Sequence, residues 1–335
     1  YIRINYIRIN YIRINYIRIN YIRTKYIIKY MELGDLTKPF TDKQKFESFL
    51  YLQNYVLEKN EKNEPFFIGR VGGNEPNLCG RALTNNSIPS RLLHEMLTAA
   101  GIQILSNDDI KHYVKITNTS YKNCDILSVW SGSVYSQAKP YYDFLDKMYP
   151  QQKRICAQAL EPFYFIQHPE YKFNQVFKNK KVLIITSHKE TTLKQLKHHA
   201  TIFNKPIFDE TTEFYIYKPA QQNGGNHDSN SWTFHFDKMK KELSELSQTF
   251  DFDIALVSCG GFGMILSDYI YSEMKKSVLY VGGGLQLYFG IKGNRWNSHP
   301  IISKLFNDKW TNVLEEDKPP TLAKNPRLCE NSCYW

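Results

Sequence analysis

The chain has 335 residues, 42% of them hydrophobic, and a formal net charge of +10. That is enough apolar sequence for one large α/β domain or two modest ones, and no run approaches the roughly 20 apolar residues of a membrane span. Arg3, Arg8, Arg13, Arg18, Arg23, Lys25 and Lys29 fall in the first thirty positions with no acid among them, so the other 305 residues carry only +3 and the main body is not expected to bind nucleic acid.

In chain order, "YIRIN" repeats four times and then decays toward Met31. A period of five fits neither a strand nor a helix. Residues 1–30 are therefore expected to be a low-complexity appendage upstream of a natural start at Met31. They contain no uninterrupted apolar stretch and no small-residue cleavage site, so no signal peptide is expected. Thr41–Asn60 has apolar residues at helical spacing, with Thr41 as N-cap. "PFFIGRVGGNEP" predicts a strand ending in glycines, and Ser90–Ala100 a helix. Cys124–Ser133 reads as a strand running into a small-residue turn, and Arg154–Pro162 as another short strand. Lys180–Phe203 predicts strand, turn and helix. The polar stretch Lys218–Ser231 predicts a mobile loop of the kind that forms lids. Asp251–Lys276 repeats strand, turn and helix, and "SVLYVGGG" supplies a last buried strand.

Near-continuous apolar strands alternating with helices predict a Rossmann-like α/β fold: a mostly parallel sheet with helices on both faces. Residues 31–300 are expected to form one such domain, with 301–335 as a tail packed on it. Six scattered cysteines with no CxxC point to reduced thiols, and the expected setting is soluble and cytoplasmic.

Ligands of open α/β sheets bind beyond the carboxyl ends of the strands. Five predicted strand ends carry small, polar or glycine-rich turns. After "FFI" come Arg70, Gly72, Gly73 and Glu75. After "ILSVW" come Ser131, Gly132 and Ser133. After "VLIIT" come Ser187, His188, Lys189 and Glu190. After "IALVS" come Gly260, Gly261 and Gly263, and after "VLYV" come Gly282, Gly283 and Gly284. Together they predict a crevice where backbone N–H groups face an anion.

The anion is not held by a known fingerprint. "GGFG" is not GxGxxG, since Leu266 holds the third glycine position, and there is no Walker motif. A nucleotide or a sugar phosphate remains. Lys292 and Arg295 are candidate diphosphate contacts, or else a solvated basic loop. His188 is either a phosphate contact or a hydrogen-bonded turn residue. Asp251 and Asp253 look like the metal-binding DxD of many sugar transferases, but they precede their strand and so belong on the opposite edge, as a solvated strand entry.

The segments "FIGRVGGNE", "LEPF", "KVLIITSHKETTLKQL", "LVSCGGFGMILSDYI", "VGGGLQLYFGIKGNRW" and "ENSCYW" resemble, in order, the GT-D-fold glycosyltransferases and their uncharacterised relatives. The resemblance runs from about Phe66 to Trp335. It implies transfer of a sugar from a nucleotide-sugar donor to a glycan or glycoconjugate acceptor. It also implies an Asp-x-Glu near the first strand that binds the donor and a divalent cation, Mn or Mg. The triplet here is Gly73-Asn74-Glu75, which keeps the Glu and lacks the Asp. Glu75 is the leading candidate for catalytic base or metal ligand, with Glu190 second. Arg70, Gly72, Gly73, Ser187, His188, Lys189, Gly260, Gly261, Gly263, Gly283, Gly284, Lys292 and Arg295 are the donor-side candidates. The alternatives are another phosphate-ligand α/β enzyme (pyruvyl transferase-like, or acting on a sugar phosphate) and a non-catalytic glycan-binding protein.

Overall fold

The computed structural model describes residues 33–325 and 327–335, so the YIRIN segment lies outside the described residues. Helix α1 (Asp42–Glu61) begins at Thr41, whose side chain accepts from the Gln44 N–H while the Gln44 side chain returns the bond, a full capping box. Strand β1 (Phe67–Arg70) leads into α2 (Asn74–Leu83), α3 (Ser90–Thr98) and α4 (Asn107–Asn123). Strand β2 (Ile126–Val129), α5 (Ser133–Met148) and β3 (Lys153–Cys156) follow. Three short 3₁₀ turns then reach β4 (Lys181–Thr186), α6 (Lys189–Gln195), β5 (Glu213–Tyr217) and α7 (Trp232–Thr249). The last third holds β6 (Ile254–Ser258), α8 (Gly263–Ser272), β7 (Ser277–Tyr280), α9 (Leu285–Tyr288), α10 (Asn294–Asn297), α11 (Pro320–Lys324) and α12 (Leu328–Ser332).

The seven strands form one sheet in the order β3-β2-β1-β7-β6-β4-β5, and every pairing is parallel. Successive side chains alternate between its faces. Ile68, Ile184, Leu256 and Leu279 join one buried cluster, and Phe67, Leu183, Ile185, Val257 and Val278 join the other. Both faces are therefore covered, which is why these strands read as unbroken apolar runs. The chain steps outward from β1 to β3, crosses to β4 and β5, and returns through β6 to β7. A right-handed crossover must change face when its direction reverses. Accordingly α2, α4, α5 and α8 pack on one face, while Leu196, Ile202 and Phe203, after α6, pack on the other. This is the Rossmann-like architecture expected.

Two expectations change. The strand in Arg154–Pro162 stops at Cys156 and continues as a 3₁₀ turn, Ala157–Leu160. Lys218–Ser231 is a loop, but it is tied down: the Gly224 N–H donates to the Thr98 carbonyl at 2.8 Å, and the Gly224 carbonyl accepts from the Thr321 hydroxyl. All six cysteines are buried and free. No helix among the described residues is long and apolar enough to cross a membrane.

Candidate functional site

The carboxyl ends of β1, β2, β4, β5, β6 and β7 open on one cleft of about 490 Å³. It lies where the expected crevice should. Connections from the neighbours β4 and β6 leave in opposite directions, toward β5 and β7, which opens a gap between them. Arg70 and Gly72–Glu75 reach the cleft from β1, Trp130 from β2, Ser187 from β4, Cys259 and Gly260 from β6, and Gly282 and Gly283 from β7.

Glu75 sits in the first turn of α2, where a carboxylate is favoured by the helix dipole. Its side chain folds back over Gly72, so closely that a Cβ at Gly72 would lie 2.3 Å from Glu75 Oε2. A side chain at Gly72 would have to displace the Glu75 carboxylate from this position. Gly73 differs: a Cβ there would meet nothing within 4 Å. Arg70, at the end of β1, donates from Nη1 to the Val281 carbonyl, and its guanidinium lies 4.7 Å from the centre of the Trp130 ring. Tyr280 completes this wall and donates to the Gly260 carbonyl at 2.9 Å. Burial, with the Glu75 charge adding to it, holds the Tyr280 hydroxyl well above its ordinary range. It therefore stays a neutral hydrogen-bonding group.

The end of β4 is arranged differently from expectation. Only Ser187 of its turn lines the cleft. The first turn of α6 is filled by the fully buried Asp317, which accepts from the Thr191 N–H at 2.7 Å, the Thr191 hydroxyl at 2.8 Å and the Glu190 N–H at 3.2 Å. Lys218 lies 3.5 Å from the same carboxylate. The anion expected at this helix start is thus supplied by the chain itself. His188 is buried edge-on to Trp335, its Nε2 without a hydrogen-bond partner among the described residues. Burial pulls its pKa down to about 4, while Asp317 pulls it up and Lys218 down. Lys189 and Glu190 do not line the cleft, and Glu190 is exposed, so it is not placed to act as a base there.

The glycines after β6 and β7 are also answered mostly by protein. Cβ atoms at Gly261, Gly263 and Gly283 would fall 2.4, 2.1 and 2.2 Å from Ile102, Tyr280 and Tyr334. The Gly261 N–H is already bonded to the Ala100 carbonyl at 2.8 Å. Gly284 faces Glu161, whose Oε1 is 3.2 Å from where a Cβ would be. Of these turns, Gly260, Gly282 and Gly283 line the cleft, while Gly261, Gly263 and Gly284 do not.

The basic pair separates. Arg295 lines the cleft, with its guanidinium 4.8 Å from the centre of the Tyr334 ring and donating to the Tyr334 hydroxyl at 3.3 Å. Lys292 does not line it, and its ammonium lies 5.1 Å from the Phe306 ring centre. Asp251 and Asp253 sit at the opposite edge, as expected, where Asp253 accepts from the Lys181 N–H at 2.7 Å and Asp251 pairs with Lys276 at 2.5 Å.

Several cleft residues are not among the candidates the sequence singled out. Trp130 was visible only as the end of a strand, and the run Gln221–Asn223 as part of a loop. Gln286 is buried, with Nε2 held by the carbonyls of Ile291, Lys292 and Tyr334 and Oε1 unpartnered among the described residues. Tyr334 and Trp335 come from a segment read as a tail.

Among the described residues no group of three His, Cys, Asp or Glu side chains could hold a metal ion, and Glu75 shares the cleft wall with the Arg70 guanidinium. No family model matches the sequence, and no curated protein or solved structure matches it either.

Proposed function

We propose that this cleft transfers a glycosyl group from a nucleotide-sugar donor to a glycan or glycoconjugate acceptor. The observation that carries the reading is the convergence of one carboxylate, Glu75, and two guanidinium groups, Arg70 and Arg295, on a single cleft at the carboxyl ends of a parallel sheet. The sequence resemblance supports the same reaction. The cleft volume of about 490 Å³ falls among those of small-ligand sites, about 300–1,000 Å³.

In this reaction the bond from the anomeric carbon to the diphosphate oxygen breaks, and the diphosphate leaves with the electron pair. A bond from the same carbon to the acceptor oxygen forms, and the acceptor proton passes to Glu75. Positive charge fixed at the leaving group stabilises the transition state most where water is excluded. Trp130 offers a flat apolar face beside Arg70 for the base or sugar. The amides of Gln221, Gln222 and Asn223 border the cleft with groups suited to sugar hydroxyls.

A second reading, a non-catalytic glycan-binding protein, is favoured by one specific observation: protein side chains fill much of the space expected for phosphate at the ends of β4 and β7. The same assay separates the two. Release of nucleoside diphosphate is measured across a panel of nucleotide sugars and acceptors. Turnover with at least one donor, lowered about 10²–10⁴-fold in Glu75→Gln, is the expected result. Binding of glycans without turnover would favour the second reading.

A further inference from the structure

Resting on the reading of the cleft as a glycosyl-transfer site, we propose that its half at the ends of β4 and β6 is a subsite for an uncharged sugar ring, whose hydroxyls are read by Gln222, Ser187 and Ser258. Three observations converge on this.

The first is where the charge lies. The charged side chains that line the cleft are Arg70, Glu75 and Arg295. Arg70 ends β1, Glu75 follows it in α2, and Arg295 follows β7 in α10. The lining contributed by β4, by β6 and by the loop between β5 and α7 is neutral: Ser187, Ser258 and the run Gln221–Asn223. Lys218 and Asp317 lie in the same region, but they pair with each other at 3.5 Å and neither lines the cleft. In the sheet order, β1 is two and a half strand spacings from the gap between β6 and β4, about 12 Å. That leaves room for a sugar ring beyond the charged groups.

The second is that the polar groups of the neutral half are unspent. Gln222 lines the cleft although it is only 7% exposed. Its Oε1 accepts from the Asp228 N–H at 3.3 Å, which settles the amide orientation, and its Nε2 donates to no group among the described residues. Ser258 pairs in register with Thr186, and Ser187 follows Thr186 directly, so two hydroxyls stand on adjoining strand ends. Neither hydroxyl has a hydrogen-bond partner among the described residues. Buried polar groups are ordinarily hydrogen-bonded. Two hydroxyls and an amide donor suit a ligand that both donates and accepts, as sugar hydroxyls do. A carboxylate or phosphate would bring charge to a half with no cation to meet it.

The third is that these groups are held in place. Gly101, at φ +73°, lets the loop approach so closely that a Cβ there would lie 3.2 Å from the Asn223 N and 3.6 Å from the Gln222 Cβ. The neighbouring Ala100 carbonyl accepts from the Gly261 N–H in the turn after β6. On the other side, Gln221 Nε2 reaches the Asp317 carbonyl at 3.5 Å, and Asp317 bonds the start of α6 just beyond Ser187. The loop therefore spans the gap between β6 and β4. Trp335, beside His188, adds an apolar ring surface of the kind that sugar C–H groups pack on.

The test is ligand-observed saturation-transfer NMR on the full chain. The probes are the methyl glycosides of glucose, galactose, mannose and N-acetylglucosamine and, separately, uridine, cytidine and guanosine. The expected result is binding of at least one compound, unchanged between about 50 and about 500 mM NaCl because no charge pair is involved. Loss of one hydrogen bond between neutral groups weakens binding about three- to tenfold. Ser187→Ala combined with Ser258→Ala should therefore weaken it at least about tenfold and leave the urea unfolding midpoint unchanged, since neither hydroxyl bonds to the described protein. Gln222→Glu keeps the oxygen that receives the Asp228 N–H, removes the amide donor, and should weaken binding about three- to tenfold. Glycoside binding places an acceptor ring in the subsite; nucleoside binding that is lost in the same variants places the donor's ribose there. No binding by either set, wild-type affinity in the double variant, or binding abolished by salt overturns the inference, and nucleotide-sugar turnover in any of those cases leaves the proposed function standing. Glycoside binding with no turnover of any nucleotide sugar supports the subsite and removes the transfer reaction.

Discussion

Glycine at a strand end has two opposite meanings in this protein, and the residue scale separates them. At Gly283 a Cβ would fall 2.2 Å from Tyr334, and at Gly263 2.1 Å from Tyr280. At Gly73 it would meet nothing. Overpacking a filled site costs about 1–3 kcal/mol. Gly263→Ala and Gly283→Ala should therefore each lower unfolding stability by about that amount in urea titrations, whereas Gly73→Asp should change it by less than about 0.5 kcal/mol. Equal effects at all three positions would remove the distinction. The glycines themselves were legible in the sequence. What fills them was not, because Ile102 and Tyr334 lie far from them along the chain and meet them only through the fold. The same is true of Glu161, within "LEPF", which meets Gly284 only through the fold. Glu75 was legible because it follows β1 directly in a glycine turn.

At the scale of elements, the segment after Lys309 behaves as part of the fold. Trp310, Val313, Leu322 and Trp335 join the buried cluster under the sheet, and Trp335 Nε1 donates to the Asp317 carbonyl at 3.2 Å. Asp317 in turn bonds the start of α6. Removing a buried carboxylate that receives these bonds leaves the Thr191 and Glu190 N–H groups without it, at a cost of roughly 1.5–3 kcal/mol. Asp317→Ala should show that loss in thermal or chemical unfolding, with Asp317→Asn intermediate because one oxygen acceptor remains. A wild-type unfolding curve for Asp317→Ala would mean the segment is only appended. Strands β4, β6 and β7 were legible because burial on both faces leaves an unbroken apolar run. Strand β5, at the sheet edge with a largely exposed "EFYIY", was not. Helices α4, α5 and α7 were not predicted either, since their buried stripes rest on tyrosine, threonine, tryptophan and histidine among many polar residues.

For the whole molecule, the buried His188 couples stability to pH. Its folded pKa, about 4, lies below the ordinary 6.5. As pH falls below 6.5 the unfolded chain takes up this proton first, so the stabilising contribution is complete above pH 6.5 and is lost as pH falls to about 4. The loss over that window is roughly 3 kcal/mol. Asp317 favours the charged ring and Lys218 opposes it, and neither reverses the effect of burial. Urea midpoints measured between pH 7 and pH 4 should fall less steeply in His188→Gln than in the wild type; parallel slopes would contradict this assignment. The parallel sheet with helices on both faces was legible as a whole, because alternating apolar strands and amphipathic helices admit few other solutions. Which strand ends would stay open was not legible, since that depends on Asp317, Tyr334 and Trp335 returning from the far end of the sequence. On the proposed function, the diphosphate of a nucleotide sugar is held in the cleft beyond β1, within reach of Arg70 and Arg295. A crystal of the protein soaked with a nucleotide sugar tests this most directly. The expected result is diphosphate density between Arg70 and Arg295, beside Gly282 and Gly283, with Glu75 facing the sugar. A donor bound elsewhere on the molecule, or none bound at saturating concentration, would contradict it.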